Sequence, residues 1–127
     1  MNTAVALNAY RQVGQQGVQD ERLLVLGLDG ILEYLRRARS AIREQALDRK
    51  VQSMTRAYQI VEHLLVALPE SGSAEDGELS RRLGGVYRYL LDRLGQANIF
   101  DDLQALDDCA EVVTVLRDSW IEGLKRA

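Results

Sequence analysis

His63 is the only imidazole in the 127 residues, and Cys109 is the only thiol. Any Ser–His–Asp or Cys–His arrangement would have to be built on that one ring, and a histidine-rich metal site has no second ligand. His63 stands next to Leu64 and Leu65, beside an apolar helical stripe, and is read as structural. Cys109 itself falls on an apolar stripe, the setting of a small buried hydrophobe rather than of a reactive thiolate. A di-iron bundle needs Glu-x-x-His pairs on two helices, and the chain has none. Asp101-Asp102 and Asp107-Asp108 lack the glycine and closing glutamate of a calcium loop. Carboxylates in a helix's first two turns instead complement the positive end of its dipole. No G-x-x-x-x-G-K-[ST] phosphate loop is present. With no nucleophile, base and orienting group to assemble, neither an enzyme nor a cofactor or metal site is expected.

Three other groups suit binding better than catalysis. Arg36, Arg37, Arg39 and Arg43 lie late in a helical pattern, where cations suit the dipole's negative end. They read as a solvated face, with docking of an acidic segment as the functional alternative. Gly27, Gly30, Gly84, Gly85 and Gly95 sit inside helical patterns, each costing about 0.5–1 kcal/mol relative to alanine. Close approach of a partner helix and tight packing within the fold explain them equally well. Tyr10, Tyr34, Tyr58, Tyr87 and Tyr89 outnumber the single Phe and the single Trp. Tyrosine suits half-buried positions and binding surfaces. Tyr87 and Tyr89 are two apart, so on a helix they face different ways.

The elements that position these residues are helices. Strand signals are nearly absent, and no Asn-Gly or Asp-Gly turn joins two alternating runs. The first long helix is expected from about Asp20, a plausible N-cap, to Gln45. The second runs from about Asp48 to Leu68, ahead of Pro69. The third starts near Ser73 or Asp76 and carries Leu79, Leu83, Val86, Tyr87, Leu90, Leu94 and Ala97. The fourth starts at Asp101, which caps it while Gln104 answers, and carries Leu106, Cys109, Val113, Leu116, Trp120 and Leu124. Short connections give an all-α, antiparallel up-down four-helix bundle. Residues 69–77 form the one clear linker. Before the bundle lies a short helical cap, residues 1–17, marked by Val5, Tyr10 and Val13 and hinged at Gly14 and Gly17. Such a segment is too short to hold a helix alone. It is expected to be mobile, either covering a groove or contacting the partner through Tyr10.

The whole is one domain of 127 residues. A net charge of −3 argues against nucleic acid. There is no apolar run long enough for a membrane span, and no signal peptide. With a lone cysteine as well, a cytoplasmic chain is expected.

The helices are apolar on too many sides for one small bundle. Between Met54 and Leu68, one stripe reads Met54, Tyr58, Val61, Leu65, Leu68 and a second Ala57, Ile60, Leu64, Ala67. Leu24, Leu28, Ile31, Leu35, Ala38 and Ile42 form another, flanked by Leu23, Leu26 and Tyr34. The surplus suggests a surface for an apolar helix of a partner.

Several patterns, in order along the chain, carry a resemblance. They are Ala9-Tyr10-Arg-Gln-Val13, Leu23-Leu24-Val-Leu26-Gly-Leu28-Asp29-Gly30-Ile31, and Arg56-Ala57-Tyr-Gln-Ile60-Val61. Then come Leu83-Gly-Gly-Val-Tyr87-Arg-Tyr89-Leu-Leu-Asp92-Arg93-Leu94 running into Ala97-Asn98, and Leu116-Arg117-Asp-Ser-Trp120. Together they resemble the flagellar export chaperones of the FliS type over nearly the whole chain. It departs from that pattern at Gly17-Val-Gln-Asp20, at Leu28 where tyrosine is usual, and at Arg88 where an acidic residue is common. The resemblance implies a cytoplasmic chaperone for the C-terminal segment of flagellin. That segment is disordered alone and wraps as helices around the bundle. Binding would block polymerisation until delivery to the type III export gate, with other flagellar regulators as further partners. The free chain would be a monomer or weak homodimer. The other reading is a helical adaptor or anti-sigma-type module that captures an amphipathic helix. Stripes and resemblance together nominate the partner-contacting residues. They are Tyr10 and Val13 in the cap, and Leu28, Ile31, Tyr34, Leu35 and Ala38 in the first long helix. To these are added Ala57, Ile60 and Leu64 in the second, Tyr87, Leu91, Ala97 and Asn98 in the third, and Trp120 in the fourth.

Overall fold

The computed structural model describes residues 18–68 and 74–126, with side chains for residues 22–68 and 77–125. They form four helices: α1 (Val18–Arg43), α2 (Leu47–Val66), α3 (Ala74–Phe100) and α4 (Leu103–Arg126). No strand occurs among the described residues. Each helix packs on its neighbours in the chain, α4 also packs on α1, and neither diagonal pair makes a close backbone approach. The turns at 44–46 and 101–102 are too short to do anything but reverse the chain. The expected all-α four-helix bundle is therefore what forms. The expected cap, with Tyr10 and Val13, lies outside the described residues.

The helical periodicity becomes the core directly. Leu24, Leu28, Ile31, Leu35 and Ala38 of α1 are buried, as are Met54, Ala57 and Val61 of α2. From α3 come Leu79, Leu83, Tyr87, Leu90, Leu94 and Ala97, and from α4 Leu106, Cys109, Val113, Leu116 and Trp120. At the end of α1 the buried position is Ala41, and Ile42 is only half-buried. The turn folds back there, and the small side chain fits beneath it.

The two short turns share one design. In the first, Gln45 has a left-handed φ of 56°. Its N–H donates to Ile42 O at 3.1 Å, and the N–H of Ala46 donates to Ala41 O at 2.8 Å. This is the pair of bonds that closes a helix with a left-handed C′ residue, usually glycine. In the second, Asp101 has φ 52°, and the N–H of Asp102 donates to Ala97 O at 3.3 Å. The residue that ends one helix then starts the next. Ala46 O accepts from Lys50 N–H at 3.0 Å, and Asp102 O accepts from Leu106 N–H at 3.3 Å.

Three expected boundaries move. The cap of α4 is Asp102, not Asp101: Asp102 Oδ1 accepts the Ala105 N–H at 3.1 Å. Asp101 sits one residue too early, in the left-handed position, and its carboxylate accepts from Lys50 Nζ at 2.7 Å. Gln104 does not answer a cap, since its amide donates to Asp108 at 2.9 Å. Asp20 lies within α1, which already runs from Val18. The last breaker before it is Gly17, and an acidic residue in a first turn still suits the dipole. Ala74–Gly77 of the expected linker is helical. Pro69 and Gly72 precede that point, and one glycine in a helix costs only about 1 kcal/mol.

Candidate functional site

A groove of about 320 Å³ runs between α2 and α3. Met54, Tyr58 and Thr55 form one wall and Leu94, Asn98 and Ile99 the other, with Gly95 between them. Antiparallel packing sets the register, with the start of α2 beside the end of α3. Tyr58 is 38% exposed and Ile99 73%. Leu47 and Val51, on the Tyr58 stripe, and Phe100, next to Ile99, extend the exposed apolar surface towards the turns. A Cβ built on Gly95 would meet nothing within 4 Å, so the glycine leaves an open notch. In the groove wall, Asn98 Oδ1 is buried without a hydrogen-bond partner among the described residues. A buried amide oxygen left unpaired costs about 1–3 kcal/mol. A donor that reached it through a shift of the groove wall would recover that cost.

The nominated residues divide by depth. Leu28, Ile31, Leu35, Ala38, Ala57, Tyr87, Ala97 and Trp120 are all at most 3% exposed and build the core. Tyr34, Ile60, Leu64, Leu91 and Asn98 are half-buried at the surface. Of the thirteen nominated residues that are described, only Asn98 lines the α2–α3 groove. Tyr34 lies instead by the α1–α2 seam, where its ring carries the Arg37 guanidinium 5.5 Å from the centroid. Ile60 fills that seam: a Cβ on Gly30 would stand 3.3 Å from Ile60 Cδ1, and one on Gly27 3.6 Å from Cγ2.

The family described as "Flagellar protein FliS" matches residues 2–127. The chain belongs to the FliS family. It is 30% identical to the flagellar secretion chaperone FliS of Escherichia coli K12, covering 98% of this chain and 93% of that protein. The Bacillus subtilis FliS is also 30% identical, covering 92% of this chain and 84% of the relative. The flagellar secretion chaperone FliSB of Pseudomonas aeruginosa is 31% identical, over 91% and 92%. Membership makes the chain an export chaperone with a client protein, and not an enzyme. No helix among the described residues is long and apolar enough to cross a membrane.

In this FliS-family bundle most of the chemistry-bearing side chains other than His63 are engaged in structure. Burial pushes the Cys109 thiol up to about 12, and its Sγ lies 3.9 Å from Leu90 O. The thiol stays protonated and unreactive at neutral pH. His63, read as flanking the core, is exposed. The acidic pairs are spent separately: Asp107 on Arg39, and Asp108 on Arg93 at 3.2 Å. No three His, Cys, Asp or Glu side chains converge as metal ligands among the described residues. Arg39 is not part of a solvated face. It reaches α4, also donating to Leu103 O at 3.3 Å.

Sequence reasoning missed Tyr58, Gly95 and Ile99 as groove residues. Tyr58 sits at helical spacing from Met54 and Val61 and so reads as core, although Val61 is fully buried and Tyr58 is not. Gly95 did carry a usable signal, as a helix-interior glycine whose cost needs a reason.

Proposed function

We propose that this chain is a cytoplasmic export chaperone that holds the C-terminal segment of flagellin in helical form. It thereby prevents premature polymerisation and presents its client to the flagellar type III secretion apparatus. The observation that carries this reading is the α2–α3 groove. An open glycine notch, an exposed tyrosine and isoleucine, and an orphaned amide oxygen lie together on a family member whose work is to bind a client. An amphipathic helix laid on such a surface uses anchors at i, i+3 or i+4, and i+7. Its apolar side chains cover Tyr58 and Ile99, while a polar group reaches Asn98. Flagellin is the client that the family resemblance implies.

Titration calorimetry with a peptide from the C-terminal end of flagellin tests this. The expected result is one-to-one binding at micromolar concentration or tighter, with a negative heat-capacity change from buried apolar surface and a gain of peptide helicity. Gly95→Leu and Ile99→Asp should each weaken binding at least about tenfold. A peptide that does not bind, or that binds both variants as it binds the parent, overturns the assignment.

A further inference from the structure

A second concavity, of about 350 Å³, opens on the α1–α2 seam, on a different face of α2 from the groove. Four arginines ring it: Arg36 and Arg37 from α1, Arg49 and Arg56 from α2. Ser40 and Ser53 also line it, and Ser53 is only 6% exposed. Two carboxylates offset this charge. Glu33 accepts from Arg36 Nε and Arg37 Nε, both at 3.1 Å, and Glu44 accepts from Arg49. Arg56 has no ion pair or hydrogen bond among the described residues. Four guanidinium groups against two carboxylates leave a surplus of two positive charges, in a chain whose net charge is −3.

We propose that this arginine-walled pocket is a docking site for an acidic peptide segment, reading two of its carboxylates at once. Charge complementarity names the occupant's sign, and dimension names its form. Arg49 and Arg56 are seven residues apart on one helix, about 10 Å at 1.5 Å per residue. Two glutamate or aspartate side chains, one to two helical turns apart in a peptide, match that spacing. Guanidinium is the group suited to the task, because its planar fork holds a carboxylate through two parallel N–H···O bonds. The Arg37–Tyr34 stack holds one wall in place, and Arg56 is the one guanidinium of the four not already bound to a carboxylate. The site does not depend on the groove being the flagellin seat.

The probe is a blocked nine-residue peptide with glutamates at its first, fifth and ninth positions and alanines between. It is titrated into the full-length protein at low salt and followed through the arginine Nε–Hε signals. A peptide with glutamines in place of the glutamates and inorganic pyrophosphate are run alongside. The expected result is saturable shifts at Arg49 and Arg56 with the glutamate peptide and none with the glutamine peptide. Affinity should fall at least about fivefold in 0.3 M salt, as screening requires. R56Q removes no internal ion pair, so it should keep the parent's melting temperature and still lose about fivefold or more in affinity, with R49Q/R56Q losing more. Equal shifts with the glutamine peptide overturn the proposal. So does a folded R56Q that binds like the parent, or a site that takes pyrophosphate and ignores the peptide. None of these outcomes bears on flagellin binding, which is read from the calorimetry.

Discussion

Two seams flank α2, and both are built around glycine, to opposite ends. On the α1 side, Gly27 and Gly30 give up their side chains and Ile60 takes the space, with its methyl groups 3.6 and 3.3 Å from where each Cβ would be. On the α3 side, Gly95 gives up its side chain and nothing takes the space. The propensity cost is the same at each position, about 0.5–1 kcal/mol. In the first seam it is offset at once by close packing within the bundle. In the second it is left standing in the free protein. A cost carried without return in the fold supports the proposal that this surface is kept for a partner.

The sharpest way to break this contrast is to put leucine into each seam. Gly30→Leu should lower the unfolding free energy by about 1–3 kcal/mol, because overpacking forces Ile60 and its surroundings to move. Gly95→Leu should leave the urea midpoint at or above the parent's. Equal losses at both positions would show that the α2–α3 notch is not open. A milder test trims the filler itself. Ile60→Val should cost about 0.5–1.5 kcal/mol, read by the same denaturation. Alanine then refines the comparison: Gly95→Ala should gain about 0.5–1 kcal/mol, the propensity difference with no contact to oppose it. Gly30→Ala should gain less, since its Cβ would press Ile60 at 3.3 Å. The smallest effect lies on the rim of the filled seam. The Arg36 and Arg37 hydrogen bonds hold the Glu33 carboxyl at about 2, against an ordinary 4.5. A group with a depressed folded pKa contributes stability above its unfolded value and loses it as pH falls towards the folded one. The parent should therefore lose slightly more stability than Glu33→Gln between pH 4.5 and 2. The exposure of the trio keeps the difference small and weaker in salt. Identical pH profiles would remove the ion pairs from the account.

The four helices were legible because Leu24, Leu28, Ile31 and Leu35, and their counterparts in the other helices, keep helical spacing without interruption. The turns were legible to within a residue or two. What misled there was Asp101 beside Asp102: aspartate caps at either position, and only the left-handed backbone at Asp101 decides which one does. Gln45 gave no sign at all, since glycine is the usual occupant of its conformation. The proposed binding surface was less legible than the fold. Core residues and those of the proposed client groove draw on the same apolar types at the same spacing, and a helix with two stripes does not reveal which one its neighbours cover. Leu28, Ile31 and Trp120 read as well for contact as Tyr58 and Ile99 do, yet the first three are the interior. The arginines followed the same pattern. Arg36 and Arg37 stood out as a run, while Arg49 and Arg56 complete their pocket only once α2 is folded back along α1.

Lys50 gives the bundle a circuit. α1–α2 and α3–α4 are two hairpins joined in sequence by residues 67–73, at one end. At the other end, Lys50 reaches from the first turn of α2 to Asp101 at 2.7 Å and to Asn98 O at 3.0 Å, fastening the two hairpin tips. Its side chain is 11% exposed and that of Asp101 57%, so the clasp stands at the water boundary with its lysine end buried. On the α2–α3 side, where the groove runs, the hairpins are thus held covalently at one end and ionically at the other. Amide hydrogens in the two turns should then exchange with solvent as one opening unit, and unlatching Lys50 would let the groove gape from its turn end. The same carbonyl that Lys50 holds belongs to Asn98, whose side chain lines that groove. A client seated there would pull on the residue that keeps the latch shut.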